Sequence, residues 1–574
     1  MFNALIRKAR QLTGDPVLRR WLLSRLLLRT SGPARFTAHR PPSLGAGWNG
    51  LAAERPSVVF PALPEGTPRG HLTVRLPGLT LELEPGGEAA LVGRSFDDPE
   101  TNLGLHRFAW VPLMKPGDDS RWVAAVWTAW CKRFGTPDSS WAWHPYTAAE
   151  RAINLLAFAD RHGLPGPADD TLAVLAAHGP AIAARLEYFG EHHTSNHLFN
   201  NARGLYLLGL ALGLPDCAET GGRLLLAEAG RIFRPSGVLR EGSTHYHLLL
   251  TRSLASVWLA ARRHGRPEAG TFEALLSRAV AVLPQLTLPG RFPLVGDISP
   301  DCPPDHLSCL LPGGDRRSGW MDILPPDDRA RLKVLLERTG RAAPLDGDGW
   351  LAARFGEWSG LWHADPDGWS PMPGHGHQDC GAFELHFEKE PVFVDIGRGS
   401  YALAGEAEET VTAQAHNGLM IDGHDPYPAN RPYYSPAFRR QLGGEPPRLA
   451  QDQSGVVVAF DGYARLEGVG TVERHWRFAG RRLEIWDRVE GVSGGEHALI
   501  RRLHTTCGVE VLDSGVRLTA PGGRRFTVAA PDAQIAVLPA ACWTAYGESV
   551  PASRIEIRSA ATLPWSGLIT VEAG

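Results

Sequence analysis

The sequence predicts a multidomain α + β chain. A toroid or solenoid of antiparallel helix pairs comes first and an antiparallel β-sandwich follows. The 574 residues exceed what one ordinary core supports. From about residue 120 to 340 apolar side chains recur at helical spacing, and beyond about 350 the period falls to two. The composition, 43% hydrophobic and 21% charged, is that of a folded globular chain with enough apolar material for sizeable cores.

Taken in order, residues 1–115 read as an irregular lead-in. Phe2 to Arg29 is rich in Arg and Leu, and Arg7, Lys8, Arg10, Arg19, Arg20, Arg25 and Arg29 interrupt every apolar run. No clean secretory pattern is expected there, and no run of about 20 apolar residues predicts a transmembrane helix. Trp21 to Leu28 reads as an amphipathic helix that docks on the rest of the protein or rests on a membrane surface. Beyond it the lead-in is Pro- and Gly-rich, with strand-like pieces such as His71 to Leu76, and is expected to wrap the next domain.

Residues 116–345 carry the helical pattern. Trp122–Phe134, Ala148–His162, Thr171–Tyr188, Asn201–Leu212, Arg223–Phe233, Leu248–His264 and Phe272–Leu286 each place apolar residues on one helical face. Turns such as Gly163-Leu164-Pro165-Gly166 separate them, and no sequence repeat is evident. A Gly-, Asp- and Pro-rich stretch from Pro344 to Gly349 marks the boundary. Residues 346–574 then alternate: Phe383–Phe387, Val392–Val394, Val456–Phe460, Arg482–Trp486, Val509–Leu512 and Arg554–Ile557 read as strands of a sandwich.

The net charge of −3 gives no global field for nucleic acid or an anionic membrane, so a polyanion would need a local basic cleft. The 18 Trp offer faces for sugar rings but fill cores as readily. Seven scattered Cys with no CxxC pair support neither a thiolate zinc site nor a disulfide framework.

Three polar clusters stand out. Glu191 to Asn201 (EHHTSNHLFNN) precedes an apolar helix. Ser195 or Asn196 would serve as its N-cap, which leaves the other His and Asn without a structural task. Arg240 to His247 (REGSTHYH) opens another, with Glu241 and Ser243 as capping residues. Here Tyr246 is a proton donor if electropositive neighbours lower its pKa. Gly374 to Gly381 (GHGHQDCG) puts His375 and His377 on opposite sides of an extended segment, one for a cleft and one for a metal. With Asp395 and His416 downstream, His377 makes a zinc-like His, Asp, His set; the structural alternative is a buried hydrogen-bonded network.

In order and spacing these clusters resemble the heparinase II/III family of polysaccharide lyases. The most specific stretch is His375 to Tyr401, HGHQDCGAFELHF followed by PVFVDIGRGSY, with Ala415-His416-Asn417 after it. Ser195-Asn196-His197-Leu198 and Glu241 to His247 resemble the family's helical motifs. The likeness covers roughly residues 120 to 500. It implies an (α/α) toroid followed by a β-sandwich, and β-elimination at a uronic acid: one group neutralises the carboxylate, one takes the C5 proton and one protonates the leaving O4. By that resemblance Asn196 hydrogen-bonds the carboxylate with His197 assisting. Tyr246 is the acid, and also the base when both events share a face; His375 is the base for the opposite stereochemistry. His377, Asp395 and His416 would hold one structural Zn2+, with no organic cofactor.

Arg240, Arg398 and Arg431, beside these motifs, are the candidate substrate arginines, and Trp141 and Trp143 the candidate sugar platforms, with core placement as the alternative. The expected partner is an acidic polysaccharide rather than nucleic acid, with homodimer assembly left open. A secreted lyase would carry a leader; none is evident, so cytoplasmic or periplasmic residence stays open. The sequence does not choose among alginate, glycosaminoglycans and bacterial exopolysaccharides. A non-catalytic glycan-binding protein of an exopolysaccharide pathway has no reason to keep Asn196, Tyr246 and His375 together. A glycoside hydrolase would need two flanking carboxylates, for which the clusters offer only Glu191, Glu241 and Asp379.

Overall fold

The computed structural model describes residues 12–27, 56, 58–189, 196–370, 372–402, 406–431, 433–492 and 494–574. Glu191, His192, His193, Thr194 and Ser195 of the first polar cluster, and residue 28 of the N-terminal amphipathic segment, lie outside them.

Helix α1 (Pro16–Leu26) is capped by Asp15, whose carboxylate accepts from Leu18 N at 3.0 Å. It docks on the C-terminal domain. Trp21 is buried edge-on to Phe438, ring centroids 5.2 Å apart, and its indole donates to Gln441 Oε1 at 3.1 Å. The hairpin β1 (Leu72–Leu76) and β2 (Leu79–Leu83) and the short helices α2 (Glu88–Val92) and α3 (Pro99–His106) complete the lead-in.

The helical part consists of α4 (Arg121–Phe134), α5 (Pro145–His162), α6 (Ala168–Ala183), α7 (Asn196–Leu212), α8 (Pro215–Ile232), α9 (Thr244–Arg263) and α10 (Ala269–Val282), with a later helix Pro326–Arg338. Burial separates an inner from an outer layer. Helix α5 buries 14 of its 18 residues, α7 13 of 17 and α9 16 of 20, whereas α4 and α10 bury five of 14 each. Helix α7 packs on both α5 and α9, and the approach to α5 is close enough that a Cβ on Gly204 would meet Ala149 Cβ at 2.5 Å. Each fully buried Leu or Phe in this layer contributes roughly 1.5–3 kcal/mol. Helices α5, α7 and α9 all begin at the same end of the layer, and this places the candidate site. No helix among the described residues is long and apolar enough to cross a membrane.

The strands of the C-terminal part begin at Trp350. β3 (Trp350–Phe355), β4 (Trp358–His363), β5 (Ala382–Phe387) and β6 (Glu390–Phe393) form one antiparallel sheet in sequence order. β7 (Leu419–Ile421) and β8 (Arg448–Gln451) lead to the large sheet. β9 (Gly455–Phe460), β10 (Val469–Ala479), β11 (Arg482–Gly491) and β12 (His497–Thr505) follow, then β13 (Gly508–Leu512), β14 (Gly515–Thr519), β15 (Arg525–Ala529), β16 (Gln534–Ala545), β17 (Glu548–Ala561) and β18 (Trp565–Ala573). The eight-stranded sheet runs β13-β14-β15-β18-β11-β10-β9-β8 and a four-stranded sheet runs β16-β17-β12-β7. Alternating burial along β10 and β11 gives these strands one wet and one dry face. Trp358, Trp476, Phe526 and Ile555 bring the three sheets into one core.

The two parts meet in a backbone bridge. Ile298 N donates to Arg398 O at 2.8 Å and Arg398 N to Gly296 O at 3.0 Å, so the loop leaving the helices pairs in parallel with the segment after β6. Gly296 makes this possible: its φ is +78°, and a Cβ there would meet Gly242 O at 2.6 Å at the start of α9.

Candidate active site

The first turns of the three inner helices supply one wall. Asn196 opens α7 and its Nδ2 reaches the Tyr146 hydroxyl of α5 at 3.4 Å, while its Oδ1 takes no hydrogen bond from any described residue. The His197 ring lies 5.0 Å from that of Tyr146 and its Nδ1 donates to Glu187 Oε1 at 2.7 Å. Tyr146 itself donates to Asp301, which Arg107 holds from the other side at 2.8 Å. Ser243 caps α9 by accepting from Tyr246 N at 3.0 Å, as the sequence suggested, and so fixes Tyr246 in the first turn. Three helix N-termini therefore face one space, an environment that favours an anion.

The loop after β4 supplies the opposite wall. The His375 ring is 6.2 Å from His197, 5.8 Å from Tyr246 and 5.6 Å from Tyr401, and the two tyrosine hydroxyls are 2.7 Å apart. All four residues expected to be catalytic, Asn196, His197, Tyr246 and His375, thus come together.

Asp297, fully buried on the bridging loop, organises this wall. It accepts from His375 Nδ1 at 2.6 Å and from His377 Nε2 at 2.8 Å, and Arg398 stands 3.3 Å away. These partners hold its carboxyl far below the usual range against the cost of burial. Burial lowers the His375 pKa, but the hydrogen bond and charge of Asp297, with Glu241 at 3.8 Å, outweigh it and leave the pKa raised. Tyr246 differs from expectation: its pKa stands well above the ordinary value. Burial is the main cause, and its charged neighbours, Glu241 and Asp297, are carboxylates rather than cations. The shift keeps the hydroxyl protonated at rest and makes it a weaker acid than the sequence suggested.

His377, Asp395 and His416 also meet, as links of a chain. His416 Nδ1 donates to Asp395 Oδ2 at 2.7 Å, and His416 Nε2 faces His377 Nδ1 at 3.1 Å. Since His377 Nε2 serves Asp297, every nitrogen of both rings is engaged. Burial lowers the His416 pKa, Asp395 more than compensates, and the net shift is upward. Among the described residues no three His, Cys, Asp or Glu side chains converge on a point that could hold a metal. The three side chains make a hydrogen-bonded chain, and it braces the Asp297 that positions His375.

The expected substrate contacts divide. Trp141 is 66% exposed and lies beside His144, ring centroids 5.3 Å apart, at the rim near Glu187. Trp143 is not a platform. It is fully buried, its indole donates to Phe134 O at 2.7 Å, and the Arg151 guanidinium covers its ring. Arg398 is at the site but committed to Asp297, to Gly374 O and to the face of Tyr401. Arg240 lies near Arg234, Asp365 and Arg439 and also near Glu241 of the site, while exposed Arg431 lies near Asp15, Tyr433 and Tyr434. Asp297, Tyr401, Tyr146 and Asp301 were missed. Only Gly296-Asp297-Ile298-Ser299-Pro300-Asp301, an acidic loop directly after the helical run, hinted at two of them.

Residues 338–566 match the family model described as Heparinase II/III-like, C-terminal. The crystal structure of a heparinase III is similar over 84% of this chain and 78% of that one, at 15% identity and a TM-score of 0.58. The heparan sulfate lyase HepC of Pedobacter heparinus is similar over the same shares, at 16% identity and a TM-score of 0.51. These likenesses show the fold, a helical toroid followed by a β-sandwich. No curated protein matches the chain.

Proposed function

We propose that the protein is a polysaccharide lyase that cleaves a uronic-acid-containing acidic glycan by β-elimination. The observation that carries this reading is the convergence of Asn196, Tyr246 and His375, drawn from both domains, on one space faced by three helix N-termini. The heparinase-like domain and the lyase neighbours support it.

The uronate carboxylate would sit against Asn196, with His197 beside it. A donor aimed at the forming enolate lowers the barrier without adding a fixed charge. His375 binds Asp297 through Nδ1, which leaves Nε2 for the substrate. A carboxylate behind an imidazole makes it the stronger base, and the same carboxylate stabilises the imidazolium that forms. His375 takes the C5 proton, the C5–H electron pair becomes the C4–C5 double bond, the C4–O4 bond breaks, and Tyr246 gives its proton to the departing oxygen. Tyr401 then shares its hydroxyl proton with Tyr246 across 2.7 Å. No water is consumed and no metal is needed for any step. Trp141 would offer its exposed face to a neighbouring sugar.

The test is incubation with alginate, glycosaminoglycans and bacterial exopolysaccharides, following the ultraviolet absorbance of a 4,5-unsaturated uronate, with Tyr246→Phe alongside. Absorbance that the variant abolishes is the expected result. New reducing ends without absorbance would replace elimination by hydrolysis.

A further inference from the structure

Behind the candidate active site the toroid helices and the lead-in segment line a half-open cavity of about 460 Å³, within the range of small-molecule sites. Its wall is mostly apolar, built from Ile153 and Leu156 of α5, Leu207 and Leu210 of α7, Leu259 of α9, and Trp320. Most charged groups on the wall are answered. Arg203 is held by Glu150 at 2.7 Å, Arg263 by Asp160 at 2.6 Å and by Asp328, and Asp301 by Arg107 and Tyr146. Arg252 is not. It is only 6% exposed, its Nε has no hydrogen-bond partner, and its guanidinium makes no ion pair or hydrogen bond with any described residue. A buried guanidinium left alone is costly, and such groups are ordinarily paired. Nearby His306 leaves its Nε2 unpartnered, and burial, with Arg252 adding to it, pushes its pKa down to about 4, so it offers a neutral second hydrogen-bonding group.

We propose that this cavity binds a small organic carboxylate with an apolar body, its carboxylate on Arg252 and its body along the Ile153, Leu207 and Leu259 wall. The charge selects an anion and the lining selects against a sugar, so the site differs in ligand class from the glycan site in front of it. Arg252 also lines a smaller void shared with Tyr146, Asn196 and Asp301. A ligand on Arg252 would therefore sit one layer of side chains behind Asn196.

The full-length protein would be titrated calorimetrically with octanoate, 1-octanol and acetate. Saturable binding of one octanoate per chain is expected, with octanol and acetate at least tenfold weaker. Arg252→Met should weaken octanoate at least tenfold and raise Tm, because it removes an unanswered buried charge. Ala211→Phe, which fills the cavity and keeps Arg252, should also block octanoate. The proposal is overturned by absence of saturable octanoate binding to the wild type, by equal affinity of Arg252→Met, or by octanol binding as tightly as octanoate. None of these outcomes depends on glycan cleavage, so the two readings stand or fall separately.

Discussion

Replacing Asp297 by Asn probes the centre of the site with a change of one heavy atom. The carboxylate is fully buried and accepts from His375 at 2.6 Å and His377 at 2.8 Å, with Arg398 at 3.3 Å. Asn keeps the shape, loses the charge and turns one acceptor into a donor aimed at an imidazole N–H. Hydrogen bonds to charged groups are worth about 1.5–3 kcal/mol each, and breaking a buried pair costs about 3–5 kcal/mol. His375 can shed its proton and Arg398 keeps Gly374 O and Ser400 O, so the low end, about 3 kcal/mol, is expected. The loss has a pH signature. The His375 pKa is raised in the folded state, so its stabilisation is full below the ordinary 6.5 and fades as pH rises through the folded value. The Asp297 pKa is depressed, so its contribution is present above the ordinary 3.8 and fades only in acid. Urea unfolding of wild type and variant at about pH 6 and about pH 9, either side of the ordinary imidazole value, should show the larger difference at the lower pH. A difference that stays constant or grows with pH would refute the ion pair on which this reasoning rests. Activity should fall on the order of 100-fold or more, since the proposed base loses the carboxylate behind it.

Other perturbations separate roles the geometry assigns. Tyr246→Phe removes the donor and strands only the Tyr401 hydroxyl, so uronate release should drop at least about 100-fold while stability changes by about 1 kcal/mol, measured by initial rates and melting. Asn196→Ala should cost about 100- to 1000-fold in kcat, with a smaller change in KM; a pure KM effect would remove Asn196 from the enolate. Trp141→Ala should raise KM on long chains without moving Tm, whereas Trp143→Ala should lose about 3–5 kcal/mol of stability. Because His375 must be unprotonated to accept the C5 proton and its pKa is raised, the rate should climb as pH rises beyond 6.5; a rate that falls over that limb would make His375 a cation for the carboxylate instead. Chelation followed by metal analysis should leave Tm unchanged, since His377 and His416 have both nitrogens engaged in hydrogen bonds; loss of stoichiometric zinc with a fall in Tm would replace the hydrogen-bonded chain by an ion.

Much of the architecture was legible because burial writes a period into the chain. The change from helical spacing to alternation near residue 350 fell where strands begin, and strands such as Gly455–Phe460 and Gly508–Leu512 lay within a residue of their expected places. Helix starts were the systematic failure, and for an informative reason. Helices α5, α7 and α9 begin at Pro145, Asn196 and Thr244, three to five residues before the apolar pattern suggested. Their first turns are spent on His, Asn, Thr and Tyr that serve the site, and polar residues there hide the period. The same residues stood out as clusters, so the catalytic candidates were easier to find than the helices that carry them. Pairing was not legible. Nothing local distinguishes Asp297 from other loop aspartates, because its importance lies in partners about 80 to 100 positions away. Composition likewise could not say that Trp143 is core while Trp141, two residues earlier, is rim.

The parallel bridge between Gly296–Ile298 and Arg398 has a consequence for how the protein matures. The helices of the toroid, through Pro326–Arg338, all precede the strands of the sandwich, so they can pack while the rest of the chain is still being made, as domains generally do during synthesis. At that stage Asp297 has neither His375 nor Arg398 to answer it, and Tyr246 lacks Tyr401. Residues as late as His416 must arrive before the hydrogen-bonded chain closes. A nascent or truncated chain ending before the sandwich would therefore hold Asn196 and Tyr246 on a folded support yet be unable to cut, and competence would switch on in one step when the second domain docks.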